Sequence, residues 1–121
     1  MKSIACIAFA LLLAGTSQAQ SPIKAADAAK HLNEKATVCD SVYSGRWLEN
    51  ANGQPCLLNM GGSYPSNPFT FVIFGESRVK FPYKPEEYLV NKQVCVTGEI
   101  KSYRDKPQIV VDDPKQVEVK K

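Results

Sequence analysis

The sequence predicts an all-β domain with short helices: a five-stranded Greek-key barrel, β-β-β-α-β-β, preceded by a short N-terminal helix. Three observations carry this. The run Asn67–Gly75 is rich in aromatic and β-branched residues and is bracketed by Pro68 and Gly75, so it reads as a strand. Phe69, Phe71 and Ile73 point to one side and Thr70, Val72 and Phe74 to the other, and both faces are apolar. Such a strand belongs inside a covered sheet, because one bare face of that composition invites aggregation. Gln93–Lys101 alternates cleanly, with Val94, Val96, Gly98 and Ile100 opposite Cys95, Thr97 and Glu99. Between these two strands lies a connection long enough to carry short helical pieces.

The chain begins with Lys2, an apolar block from Ile4 to Gly15, and small residues at Ser17 and Ala19. This is the form of a secretory signal peptide, residues 1–19, cleaved after Ala19. The alternative, a membrane-spanning helix, is disfavoured because the block is short against a bilayer core of roughly 30 Å. The expected mature protein is one domain, residues 20–121, periplasmic or secreted, with no membrane insertion after cleavage. Only Lys2 among the charges leaves with the leader, so the formal charge falls from +3 to +2. That mild excess is far from the strong basic footprint of tight nucleic-acid binders. Cys39, Cys56 and Cys95 remain, an odd count that suggests one disulfide and one thiol in an oxidising compartment. No Cys-x-x-Cys occurs, so a zinc or thioredoxin-like centre has no support.

In chain order, Ser21–Asn33 is read as a short helix laid on the barrel by Ile23, Ala29 and Leu32. Lys35–Tyr43 is the first strand, with Val38 and Val42 inward and Thr37, Cys39 and Tyr43 outward. Ser44–Pro55 holds Gly45-Arg46-Trp47-Leu48 and a turn at Asn52-Gly53. Cys56–Met60 is the second strand, and Gly61–Pro68 is a loop of breakers leading to the third. Glu76–Phe81 and Pro85–Val90 suit short helical turns, the latter with Pro at its start and acids in its first turn. Ser102–Pro107 is a polar turn and Gln108–Val111 the fifth strand. Asp112-Asp113-Pro114 stops it, leaving a charged tail expected to fray.

These residues resemble small exported bacterial OB-fold (oligonucleotide/oligosaccharide-binding) proteins and the OB domains attached to some secreted nucleases and esterases. The likeness rests on Ala25–Glu34, Ala36-Thr37-Val38-Cys39, Leu57–Gly61, Pro68–Gly75, Lys92–Ile100 and Lys106–Val111, nearly all of the mature chain. It speaks to fold and transfers no catalytic residue. In the barrel it implies, strand one runs antiparallel beside strand four, which implies a Cys39–Cys95 disulfide. Unpaired buried thiols are the alternative. Cys56 is expected to be a buried small hydrophobe rather than a nucleophile.

The resemblance also implies a binding face on strands two and three, framed by hairpin loops. Tyr43, Arg46, Trp47, Tyr64, Tyr103, Arg104 and Lys106 lie in or beside those loops, and Phe69 or Phe71 could add stacking. Aromatic rings stack on bases or sugars while Arg and Lys meet phosphates. The competing reading is that the rings cap a small barrel and the charges keep it wet. Arg78-Val79-Lys80-Phe81-Pro82-Tyr83-Lys84 could extend a phosphate-binding surface, or be a solvated segment anchored by two rings.

Catalysis has little to stand on. His31 is the only histidine, and there is no nucleophile elbow or Gly-rich phosphate loop. The expectation is a non-catalytic exported module for single-stranded nucleic acid or an oligonucleotide, without cofactor or metal. The alternative is an envelope module that holds another protein or an oligosaccharide.

Overall fold

The computed structural model describes residues 21–121, so the expected leader lies outside the described residues. Seven strands form one sheet: β1 Lys35–Trp47, β2 Cys56–Met60, β3 Phe69–Ile73, β4 Gln93–Glu99, β5 Lys101–Tyr103, β6 Lys106–Val110 and β7 Val117–Val119. Their order is β5-β6-β3-β2-β1-β4-β7. Five of them, β1, β2, β3, β4 and β6, correspond to the five expected. Two short 4-residue helices, Gly75–Arg78 and Pro85–Tyr88, occupy the connection from β3 to β4.

The first strand is longer than the sequence suggests and does two jobs. Residues 35–41 pair antiparallel with β4, and Val42–Trp47 pair antiparallel with β2, with an irregularity between Val42 and Ser44 where the strand turns from one partner to the other. Gly45-Arg46-Trp47 is therefore strand, not turn. Gly45 permits this because a Cβ there would lie 2.7 Å from the Glu86 carbonyl oxygen.

The central strand is as expected. Phe69–Ile73 runs between β2, antiparallel, and β6, parallel, and every residue of it is buried. Phe69, Phe71 and Ile73 point inward with Cys56, Leu58, Met60, Val38, Val94, Val96 and Ile109 to form the core.

The hydrogen-bonded ladder does not close into a ring. Ile100, fully buried, interrupts the strand expected at 93–101; the chain continues as β5, which turns back onto β6 through Arg104 and Asp105, both at positive φ (51° and 64°). The seam between β4 and β6 is filled by side chains instead. A Cβ on Gly98 would come within 2.6 Å of Ile109 Cγ2, so glycine lets the two strands approach.

Two terminal expectations need correction. The N-terminal segment is a 3-10 helix, Ala25–His31, that buries Ala25 and Ala28; Ala29 and Leu32 are exposed. Three residues per turn aligns positions 25 and 28 on one side. The tail does not fray: Asp113 and Gln116 form a capping box, and Val117–Val119 adds to β4. The implied Cys39–Cys95 disulfide is present, between residues directly opposite on β1 and β4, and Cys56 is buried and unpaired.

Candidate functional site

Register places the outward side chains in rows. Arg46, Leu57, Val72 and Val110 are opposite one another across β1, β2, β3 and β6, and Ser44, Asn59, Thr70 and Gln108 form the adjacent row. Tyr103 and Lys106 follow at the β5–β6 hairpin. Where the hairpin meets the β2–β3 loop, a groove of about 320 Å³ opens, floored by Leu57, Asn59, Thr70 and Gln108 and walled by Tyr64, Tyr103, Arg104 and Lys106.

The walls are aromatic and basic. Tyr64 and Tyr103 are 69% and 55% exposed, large values for rings unless something covers them. The Arg104 guanidinium lies 5.3 Å from the centre of the Tyr103 ring and the Lys106 ammonium 5.9 Å from that of Tyr64. Lys106 also ties the two loops together, donating to the Pro65 carbonyl and to Asn67 Oδ1, each at 3.0 Å. Beneath it, the buried Asn67 Nδ2 shares its two protons among the Phe69 carbonyl and Thr70 Oγ1, each at 2.9 Å, and Asn59 Oδ1 at 3.2 Å, and Thr70 Oγ1 donates to Asn59 Oδ1. Asn59 Nδ2 in turn donates to Ser44 Oγ at 2.9 Å.

No family model and no curated protein matches the chain. Among solved structures it is similar to a crystal structure described as that of an aspartyl-tRNA synthetase from Leishmania major Friedlin, at TM-score 0.55 and 10% identity, over 87% of this chain. The chain spans about a fifth of that protein, 21% of its length, so the likeness concerns the fold alone. The fold is an OB fold.

On this OB fold the expected ligand-binding residues divide. Tyr64, Tyr103, Arg104 and Lys106 come together at the groove. Arg46 is exposed on the same face, one row beyond Ser44. Tyr43 is 50% exposed but sits beside Ser41 and Asn91 in a separate shallow recess. Phe69 and Phe71 are fully buried in the core, so the expectation that they stack on a ligand is corrected: their phase along β3 faces them inward.

Trp47 lies at the opposite end of β2, opposite Cys56. The Arg78 guanidinium covers its ring at 3.5 Å, and its buried Nε1 has no partner among the described residues. Arg78 in turn donates from Nε and Nη2 to the two oxygens of Glu86, at 3.1 and 2.6 Å, and the Cys56 thiol donates to Glu86 Oε1 at 3.4 Å. Burial, then the neighbouring Glu86 charge and its hydrogen bond, push the Cys56 thiol up to about 12, which keeps it protonated and inert. Burial alone would raise the Glu86 carboxyl, but hydrogen bonds from Arg78, its own backbone and Cys56, with the Arg78 charge, hold it below the ordinary value. The basic stretch 78–84 is thus an anchored segment at this point: Arg78 is paired, Phe81 is buried, and Lys80 donates to the Asp112 carbonyl.

Sequence reasoning missed the groove floor, namely Leu57, Asn59, Thr70 and Gln108. The signal was available in part, since Leu57 and Asn59 fall on the opposite phase of β2 from Cys56, Leu58 and Met60.

Proposed function

We propose that this chain is an exported, non-catalytic OB-fold module that binds single-stranded nucleic acid or an oligonucleotide in the Tyr64–Tyr103 groove. The observation that carries the reading is the pairing of two open tyrosine rings with Arg104 and Lys106 above an apolar and amide floor. Base stacking on such rings contributes about 1–3 kcal/mol per base, and the cations answer the phosphates. The face continues through Leu57 to Arg46, which extends the track to a few nucleotides, the small end of OB-fold site sizes. Export is supported by the leader-like residues 1–19 and by the Cys39–Cys95 disulfide. The non-catalytic reading is supported by His31, which lies on the surface against Glu34 at 2.9 Å.

Trp47 is not the reporter to use, because it lies away from the groove. Anisotropy of labelled single-stranded oligonucleotides at low salt tests the reading directly. Binding is expected to weaken with salt with a log–log slope of about −2, as for three phosphate contacts on a single strand. No binding at high micromolar protein would remove it. The small net charge favours a second reading, a neutral oligosaccharide stacked on the same tyrosines, which would bind without salt dependence.

A further inference from the structure

The amide network under the groove takes its sense from one end, where Lys106 and the Phe69 carbonyl admit only one arrangement of Asn67. Lys106 Nζ can only donate, so the Asn67 atom it meets at 3.0 Å is Oδ1. The Phe69 carbonyl can only accept, so the Asn67 atom it meets at 2.9 Å is Nδ2. Asn67 Nδ2 also donates to Thr70 Oγ1 at 2.9 Å, which leaves the Thr70 hydroxyl proton for the Asn59 atom at 3.1 Å and makes that atom Oδ1. Asn67 Nδ2 approaches the same oxygen at 3.2 Å, so Asn59 Oδ1 faces two donors. Asn59 Nδ2 then faces Ser44, gives one proton to Ser44 Oγ, and keeps a second with no partner among the described residues. The Ser44 hydroxyl, having accepted, also retains its own proton. The floor therefore offers a donor from Asn59, whose carbonyl is spent. Gln108, the remaining polar residue of that row, makes no side-chain hydrogen bond among the described residues and can turn either way.

We infer that Asn59 is a specificity-determining residue of the groove, reading a base that turns a ring carbonyl oxygen toward it (uracil, thymine or guanine) in preference to one that turns an exocyclic amino group (cytosine or adenine). A carbonyl accepts the idle Asn59 proton. An amino group in the same place meets a donor and loses its water without replacement, which is the costly arrangement. The pairing logic is that of base-edge readout, O4 or O6 against N4 or N6. The inference rests on the nucleic-acid reading above.

Oligo-dU and oligo-dC of equal length separate the two groups with the same ring and nearly the same stacking. The unsubstituted protein is expected to bind dU about fivefold more tightly. Asn59→Asp keeps the side-chain shape and the acceptor for Asn67 and Thr70 but replaces the donor by a carboxylate oxygen. It lowers affinity for both and brings the dU:dC ratio to one or below. If that variant does not fold, the side-chain amide resonances of Asn59 in the unsubstituted protein decide, shifting on addition of dU and not of dC. Equal binding of dU and dC, a ratio unchanged in Asn59→Asp, or Asn59 amide resonances indifferent to dU each overturns the inference while leaving the nucleic-acid reading intact. Absence of binding by either oligonucleotide removes the reading itself.

Discussion

Both ends of β2 carry an aromatic ring beside an arginine, and the two ends do different things. At the Cys56 end, Arg78 covers Trp47 and is neutralised by Glu86, with both charged side chains about one-eighth exposed (13% and 12%). At the Met60 end, Arg104 lies against Tyr103 with no carboxylate pairing it among the described residues, and the rings are open. The difference comes from one residue of the β3–β4 connection. Glu86 is delivered from Pro85–Tyr88, packed against Gly45, onto Arg78 at the first end, whereas Asp105 at the second end forms no ion pair with Arg104 or Lys106 among the described residues. The first end is consequently a plug, its ring covered and its charges paired. The second leaves its rings exposed and Arg104 without an ion pair among the described residues.

The largest effect that would break this contrast is at the plug. Glu86→Ala strands Arg78 against Trp47 and leaves the Cys56 thiol without its acceptor; it is expected to destabilise the protein by about 3 kcal/mol, near the lower end for a broken buried pair. Denaturant unfolding measures this, and oligonucleotide affinity is expected to stay unchanged. An equal loss of affinity would mean the two ends are one site. The same pair gives a pH signature. Because the folded Glu86 carboxyl lies below its ordinary value of 4.5, the unfolded chain binds more protons in acid. The contribution is therefore full above that value and is lost as pH falls through the folded one, and Glu86→Gln flattens this part of the stability profile.

Tyr64→Ala and Tyr103→Ala test the opposite end. Each is expected to weaken oligonucleotide binding by about 1–2 kcal/mol while moving stability by less than about 0.5 kcal/mol, since an exposed ring supports little of the core. A large fall in melting temperature would make these rings caps rather than contacts.

Arg104→Ala sharpens the comparison at smaller scale. The magnitude of the salt slope is expected to fall by about 0.7, the loss of one phosphate contact. Lys106→Ala is expected to do the same and in addition to loosen the tie between the two loops, visible as faster amide exchange at Asn67 and Phe69. The smallest expected signal is at Cys56: negligible reaction with a thiol reagent at neutral pH until the protein unfolds.

Much of the fold was legible because local pattern and global packing agree. Alternation placed Val94 and Val96 inward, and the doubly apolar Phe69–Ile73 run could only be central. The candidate face came from the resemblance to OB-fold proteins, and four of the nine residues expected to bind meet at one groove. The others show where the reading ran out. Phe69 and Phe71 were candidates because they are aromatic on a strand of the right face, yet the pleat turns them inward. Arg46 and Trp47 looked like loop residues because Gly45 precedes them and Asn52-Gly53 follows. They became strand because Gly45 accommodates the Glu86 backbone and lets β1 continue.

The amino-acid sequence by itself located five of the seven strands and the inward phase of most of their side chains, since a period of two and the placement of breakers are local properties of the chain. Tertiary structure alone decided which ring met which cation, and which amide kept an idle proton. Those outcomes depend on register and on loops 41 residues apart, such as Lys106 reaching Pro65, where a hydrogen-bonding partner fixes a sense that no local pattern encodes.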